Sequence, residues 1–155
     1  LRFFTVYGPW GRPDMSPFIF TKNIISGASI DVFNYGDHSR DFTYIDDIIS
    51  GILGVLQVDA ENLSRFYPDG ALGVNHAVFN FGSDIPVKLL AFIGIIAGHL
   101  GVDPIIYFLP KQSGDVNHTW ADISPLQLLT GYAPAFSVEK GMKIFIEWYR
   151  AYYSI

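Results

Sequence analysis

Three stretches of this sequence place ligand-binding side chains on stiff or glycine-bearing loops. The first is Thr5 to Met15, where Gly8, Pro9, Gly11 and Pro13 shape a loop after strand-like Thr5-Val6-Tyr7 and hold Arg12 within it. A guanidinium on such a loop suits a carboxylate or a phosphate. A surface arginine in a structural turn is the competing reading. The second is Asn34 to Asp47, where Arg40 follows the turn Gly36-Asp37-His38-Ser39 and precedes aromatic Phe42-Thr43-Tyr44. Arg40 can meet an anion or simply pair with Asp41. The adjacent carboxylates Asp46 and Asp47 suit a metal less well than the cap of the apolar helix that follows. The third is Pro110-Lys111-Gln112-Ser113-Gly114-Asp115, a glycine turn whose backbone N–H groups, with Lys111 and Gln112, can hold an anion or form a plain loop. His38, His76, His99 and His118 lack metal-ligand spacing, and His99 reads as a packed side chain. No Gly-x-Ser-x-Gly occurs, so a serine nucleophile has no support.

Strands and helices alternate around these loops, which points to an α/β or α+β chain. Arg2 to Tyr7 reads as a buried strand, and a helix is expected from about Ser16 to Ser26, stopped by Gly27. Short strands are expected at Ile30 to Tyr35, Phe42 to Ile45, Val78 to Phe81 and Ile105 to Leu109. Asp46 or Asp47 is expected to cap a helix carrying Ile48, Ile49, Ile52, Leu53, Val55 and Leu56. Asp59 to Asn75 reads as a surface loop. A helix from Asp84 to about Leu100 is apolar on nearly every face, the pattern of a buried helix. Ser124-Pro125 opens a short helix ended by Gly131, and Ser137 caps a last one.

Composition narrows the function. The chain has 155 residues, half of them hydrophobic, with 13 Phe, 9 Tyr and 3 Trp. Only 16 % are charged, against about 25 % in an average domain. That excludes disorder and implies apolar surface that covers something else. The net charge is −5 and there is no basic run, so nucleic acid is not expected as a partner. With no cysteine, disulfides and thiolate sites are excluded, and a reducing compartment is compatible. The longest apolar run, Leu89 to Ala97, is far short of the roughly 20 residues that span a bilayer, so no membrane partner is expected either.

The three segments together resemble one family. Leu1 to Met15 is similar to the segment after the catalytic Tyr-x-x-x-Lys of UDP-glucuronate 4-epimerases, within the extended short-chain dehydrogenase/reductase superfamily. Asp31-Val32-Phe33-Asn34-Tyr35-Gly36 and Arg40 to Ile48 match the next family block. Phe79-Asn80-Phe81-Gly82, Gln112 to Val116, Trp120-Ala121-Asp122 and Glu147-Trp148-Tyr149 follow in family order. The first block resembles the uronate-acting branch; the others are shared more widely. The resemblance implies an α/β chain, the C-terminal part of a Rossmann-type extended reductase and mainly its small substrate-binding domain. Residues 1–155 would be a nucleotide-sugar-binding portion whose scattered strands complete a Rossmann domain.

By that resemblance, Phe3 and Phe4 lie near the nicotinamide of NAD. Thr5 and Arg12 face the sugar and hold the uronate carboxylate. Val32 and Phe33 line the uracil pocket with Asn34 close by. Arg40 clamps the diphosphate, and Gln112 and Asp115 contact the diphosphate–ribose region. Phe33 is tyrosine in many relatives; Gln112 is arginine in galactose-type ones. The family oxidises the sugar C4 hydroxyl with NAD, lets the 4-keto sugar rotate and reduces its other face. Fixing the carboxylate with Thr5 and Arg12 would oppose loss of CO₂. The helix from Val87 to Gly98 lacks the acidic residues usual there, which implies a partner surface away from the site, and a homo-oligomer is among the expected partners. The family's Gly-x-x-Gly-x-x-Gly turn does not occur in this sequence, and its one Tyr-x-x-x-Lys spacing, Tyr107 to Lys111, falls long after the Leu1 to Met15 block that follows the catalytic pair in the family. It opens with Leu1 inside a strand-like run. The expectation is therefore the C-terminal half of a cytoplasmic epimerase, inactive alone and partnered by an N-terminal Rossmann half that binds most of the NAD. The alternatives are half of another nucleotide-sugar epimerase or 4,6-dehydratase, and a non-catalytic truncated binding module. The gene sequence upstream of Leu1 separates the last from the others.

Overall fold

Short β-branched and aromatic runs give short strands rather than one long sheet. The computed structural model describes residues 1–59, 61–63 and 77–155. In chain order it holds β1 (Arg2–Phe3), β2 (Thr5–Tyr7), α1 (Ser16–Ser26), β3 (Ser29–Val32), a 3₁₀ turn (Phe33–Gly36), β4 (Ser39–Tyr44) and α2 (Ile45–Leu56). Then come β5 (Asn80–Phe81), β6 (Pro86–Lys88), α3 (Leu89–Leu100), β7 (Ile105–Phe108), α4 (Ser124–Thr130) and α5 (Val138–Tyr153). The fold is mixed α/β, as the alternation implied. β1 pairs with β5 in parallel, β2 with β4 in parallel, and β6 runs antiparallel on the other edge of β4. β3 and β7 form a separate parallel pair, in register from Ser29–Ile105 to Val32–Phe108.

Two apolar clusters hold these elements. The larger packs α1, α3 and α5 around β2, β3 and β4, with Phe42 stacked on Phe92 at a centroid distance of 4.0 Å. Phe92 is fully buried, so Phe92→Ala would cost about 3–5 kcal/mol through lost transfer energy and a cavity. The smaller joins Ile48, Phe79, Phe81, Ala121, Ile123, Leu126 and Tyr132. Gly141 is required where α5 crosses β2, because a Cβ there would collide with the Tyr7 hydroxyl. Buried carboxylates tie loops to strands. Asp41 in β4 accepts from the backbone N–H of Ser83 (2.7 Å), Asp84 (3.1 Å) and Ala121 (3.1 Å). Asp47 in α2 accepts from Ala135 N (2.9 Å) and Phe136 N (3.1 Å).

Several expectations change. Arg2 to Tyr7 is not one buried strand: it breaks at Phe4, and Arg2 and Phe3 are exposed. The second strand ends at Val32, where the 3₁₀ turn takes over. The helix expected from Asp84 begins at Leu89, because Pro86 to Lys88 pair with β4 and tertiary pairing overrides local preference. It is buried on one face only: Phe92, Ile93, Ile96 and Leu100 point inward, and Leu90, Ala91, Gly94 and Gly98 outward. Neither Asp46 nor Asp47 caps α2; Tyr44 holds the cap position without a side-chain bond, and both carboxylates sit in the first turn. Ser124 lies inside α4, its N–H donating to Asp122. Gly27, Gly131 and Ser137 act as expected, Ser137 Oγ accepting from Lys140 N. The loop expected from Asp59 to Asn75 lies outside the described residues except for 59 and 61–63. There Asn62 N donates to the Asp59 carboxylate at 2.7 Å and 61–63 are helical.

Candidate functional site

β3 alternates its side chains as a strand must. Ile30 and Val32 enter the core, while Ser29 and Asp31, continued by Phe33, face the other way and line a cavity of about 710 Å³. That volume suits a ligand of nucleotide size. The opposite wall comes from His38, Arg40 and Phe42 of the next strand and turn, and Gln112 and Asp115 reach in from the loop after β7.

Arg40 is held from 75 residues away. Its Nη2 donates to Asp115 Oδ1 at 2.8 Å, and its Nη1 to the carbonyls of Ser39 (2.9 Å) and Asn117 (3.0 Å). Its other N–H donors have no protein partner among the described residues. A half-buried guanidinium with a fixed fork and spare donors is suited to phosphate oxygens. Asp41 does not pair with it. His38 is buried beside them, its Nε2 3.4 Å from Asp115 Oδ2 and without a hydrogen bond of good geometry.

The residues singled out from the sequence divide into two groups. Phe33, Arg40, Gln112 and Asp115 come together on the cavity. Val32 does not line it: parity along β3 sends the side chain into the core. Asn34 lies beside it in the turn, where it and Tyr35 adopt left-handed backbone, φ 50° and 52°. Asn tolerates that conformation; for Tyr35 it costs about 1–3 kcal/mol. The turn is held by Asn34 Nδ2 donating to Asp37 O and Tyr35 N to Leu109 O. Thr5 pairs with Phe42 in the sheet and is half-buried off the cavity. Arg12 is exposed and forks onto Asp14, its Nε 3.1 Å from Asp14 Oδ1. That contact draws the Asp14 carboxyl below its usual range. Asp14 itself lines the large cavity, while Arg12 borders a small cleft beside it. Phe3 is exposed and sits edge-on to Phe81; Phe4 is half-buried.

Sequence reasoning missed His38, Asp14 and Asp31 as cavity residues. Spacing could have found His38, which lies two residues before Arg40 in extended chain and so on the same side. The tyrosines packed in the core are held protonated. Burial, with Asp47 nearby, pushes Tyr7 and Tyr132 upward, and burial does the same to Tyr44 and Tyr149. Among the described residues no cluster could hold a metal ion, and no helix is long and apolar enough to cross a membrane.

Residues 1–67 match the NAD dependent epimerase/dehydratase family. The whole chain is similar to UDP-glucuronate 4-epimerase 3 of Arabidopsis thaliana, 44 % identical over 160 residues, covering 99 % of this chain and 36 % of that protein. A solved UDP-glucuronic acid 4-epimerase of Bacillus cereus, in complex with UDP-glucuronic acid and NAD, superposes with a TM-score of 0.83 at 30 % identity, over 98 % of this chain and 45 % of that one. A UDP-glucose 4-epimerase of Thermotoga maritima, at 24 % identity and a TM-score of 0.82, shares the fold, over 98 % of this chain and 45 % of that one. The chain spans less than half the length of the relatives it matches: 41 % of a Methanocaldococcus jannaschii protein and 48 % of an Escherichia coli one. Along nearly all of its length the chain is thus similar in sequence and in fold to one part of UDP-glucuronate 4-epimerases, and its first 67 residues match the NAD dependent epimerase/dehydratase family.

Proposed function

We propose that this chain is the substrate-binding part of a nucleotide-sugar epimerase whose whole-protein reaction interconverts UDP-glucuronate and UDP-galacturonate at C4. The observation that carries the reading is Arg40, half-buried on a nucleotide-sized cavity with unused donors beside Phe33 and Gln112. Arg40 holds the diphosphate, Phe33 packs the uracil, and Gln112 and Asp115 meet the diphosphate–ribose region. Arg12 and Thr5 hold the uronate carboxylate. Arg12 reaches it by leaving Asp14, an exchange of one exposed carboxylate for another. Val32 supports the uracil wall from the core side, and Asn34 shapes its rim.

What the chain offers to NAD is one apolar wall, Phe3 and Phe4, at the exposed end of β1. It has no glycine-rich turn for a pyrophosphate, so no hydride-transfer step is assigned to its residues. An N-terminal Rossmann half fits this reading as partner, because Phe3, Ile49, Leu53 and Leu56 are exposed apolar side chains on β1 and α2. Self-association along the outward face of α3 and a cytoplasmic location belong to the same reading.

The test compares two polypeptides, the full-length protein that carries this chain and residues 1–155 alone. Both are incubated with UDP-glucuronate and NAD, and products are followed by NMR. The full-length protein is expected to form UDP-galacturonate and the short one to form none. Turnover by residues 1–155 alone, or a preference of the full-length protein for UDP-glucose, would overturn the reading.

A further inference from the structure

Arg40 keeps spare donors, but one of its ends is already engaged. Asp115 Oδ1 occupies Nη2 at 2.8 Å, and that carboxylate would face a second anion of like charge in the same cavity. The other Asp115 oxygen lies 3.4 Å from Nε2 of His38. His38 is 5 % exposed, lines the cavity, and its Nε2 has no hydrogen bond among the described residues. Buried polar atoms are rarely left so. A ring nitrogen this close to a carboxylate oxygen becomes a charge-assisted pair once the imidazole is doubly protonated.

We propose that His38 is a positioning residue of the anion site. By taking a proton from solvent it pairs with Asp115, draws that carboxylate off Arg40 and leaves the guanidinium to the diphosphate. The proposal rests on the nucleotide-sugar reading above. Its sign follows from the charges around the ring. Arg40 stands on the adjoining strand, Asp115 on the loop after β7, and Asp14 and Asp31 on the facing walls of the same cavity. Lys88, on β6, is exposed, and His118 is engaged with Ser39 Oγ at 2.9 Å. A bound diphosphate adds two negative charges near His38, which favours the imidazolium. Binding therefore takes up protons, and affinity rises as pH falls through the range where histidine ionises.

The experiment uses the full-length protein and UDP-glucuronate, whose diphosphate is a diester and keeps its charge near neutrality. Calorimetric titrations from about pH 8 to about pH 6, in buffers of two ionisation enthalpies, read the affinity and the protons taken up. Wild type is expected to gain about fivefold in affinity over that range, with a fraction of a proton taken up per ligand. His38→Gln should bind with a flat pH profile and no uptake. NMR of the His38 ring in wild type should show its protonated fraction rise on adding ligand at about pH 7, a readout that does not depend on any variant folding. Binding without proton uptake, an unmoved His38 resonance, or a variant that keeps the pH slope would each overturn the proposal while leaving Arg40 as the diphosphate residue. No binding of UDP-glucuronate at any pH would instead overturn the nucleotide-sugar reading itself.

Discussion

The two candidate arginines are each paired with an aspartate, yet the pairs differ in kind. Arg40 is bonded to Asp115, Ser39 and Asn117, so β4 and the loop after β7 hold it in one orientation. Arg12 is bonded to Asp14 two residues away, and both side chains are largely in solvent. The Arg12 loop is anchored by other means, with Trp10 packed on Trp148 and Tyr152 of α5. A long-range, half-buried pair costs ordering that the fold has already supplied; a local exposed one can exchange partners at little cost. The first suits a group that every substrate of the site carries, and the second a group that marks one substrate from another.

The largest expected effect breaks the platform under Arg40. Asp41→Ala removes the acceptor of three backbone N–H groups, one of them on fully buried Ala121. Unfolding by urea should show a loss of about 2–4 kcal/mol. Asp14→Ala, the counterpart in the Arg12 loop, should leave the midpoint where it was. If both variants lose stability alike, the contrast between the two regions is wrong.

Next comes the specificity side. In the full-length protein, Arg12→Ala is expected to lower turnover of UDP-glucuronate about 10–100-fold, the worth of one charge-assisted contact. The fraction of released 4-keto pentose should rise, because an unheld carboxylate decarboxylates more readily from the 4-keto sugar. Thr5→Val should act in the same direction but by only about fivefold, since it removes a neutral donor and keeps the shape. Product analysis by NMR distinguishes the two losses. An intact uronate reaction in Arg12→Ala would sink the glucuronate assignment.

The smallest effect is a titration. The Asp14 carboxyl is held below its usual range by its bond to Arg12, so the pair persists at neutral pH and is lost only as pH falls through that lowered value. Because both groups are solvated, the change should appear in the Asp14 resonance and not in the thermal midpoint. A midpoint that followed the Asp14 titration would mean that this loop is as firmly built in as the Arg40 site.

Part of the cavity lining was legible in advance, and the rest was hidden for physical reasons. Phe33, Gln112 and Asp115 stand on a turn and a loop, where ligand chemistry is often placed, and Arg40 on β4 carries its chemistry in its residue type; all four line the cavity. The partner of Arg40 was not legible, since Asp41 is adjacent in sequence but its carboxylate is consumed by backbone donors of two distant loops. Val32 lies between Asp31 and Phe33, which face the cavity, so parity puts its side chain in the core. His38 was weighed only for metal spacing, although its offset of two from Arg40 already placed it on the same side. The strand at Pro86 to Lys88 is set by pairing with β4, a contact more than 40 residues away that no local pattern announces.

The most direct test of the central claim is titration of UDP into the full-length protein, wild type beside Arg40→Ala and Arg12→Ala. UDP carries the diphosphate and no sugar, so it isolates the contact assigned to Arg40. The account predicts that Arg40→Ala weakens UDP by about 1.5–3 kcal/mol, roughly 10–150-fold, and that Arg12→Ala leaves it within about twofold of wild type. Unchanged UDP affinity in Arg40→Ala, or equal losses in both variants, would contradict it.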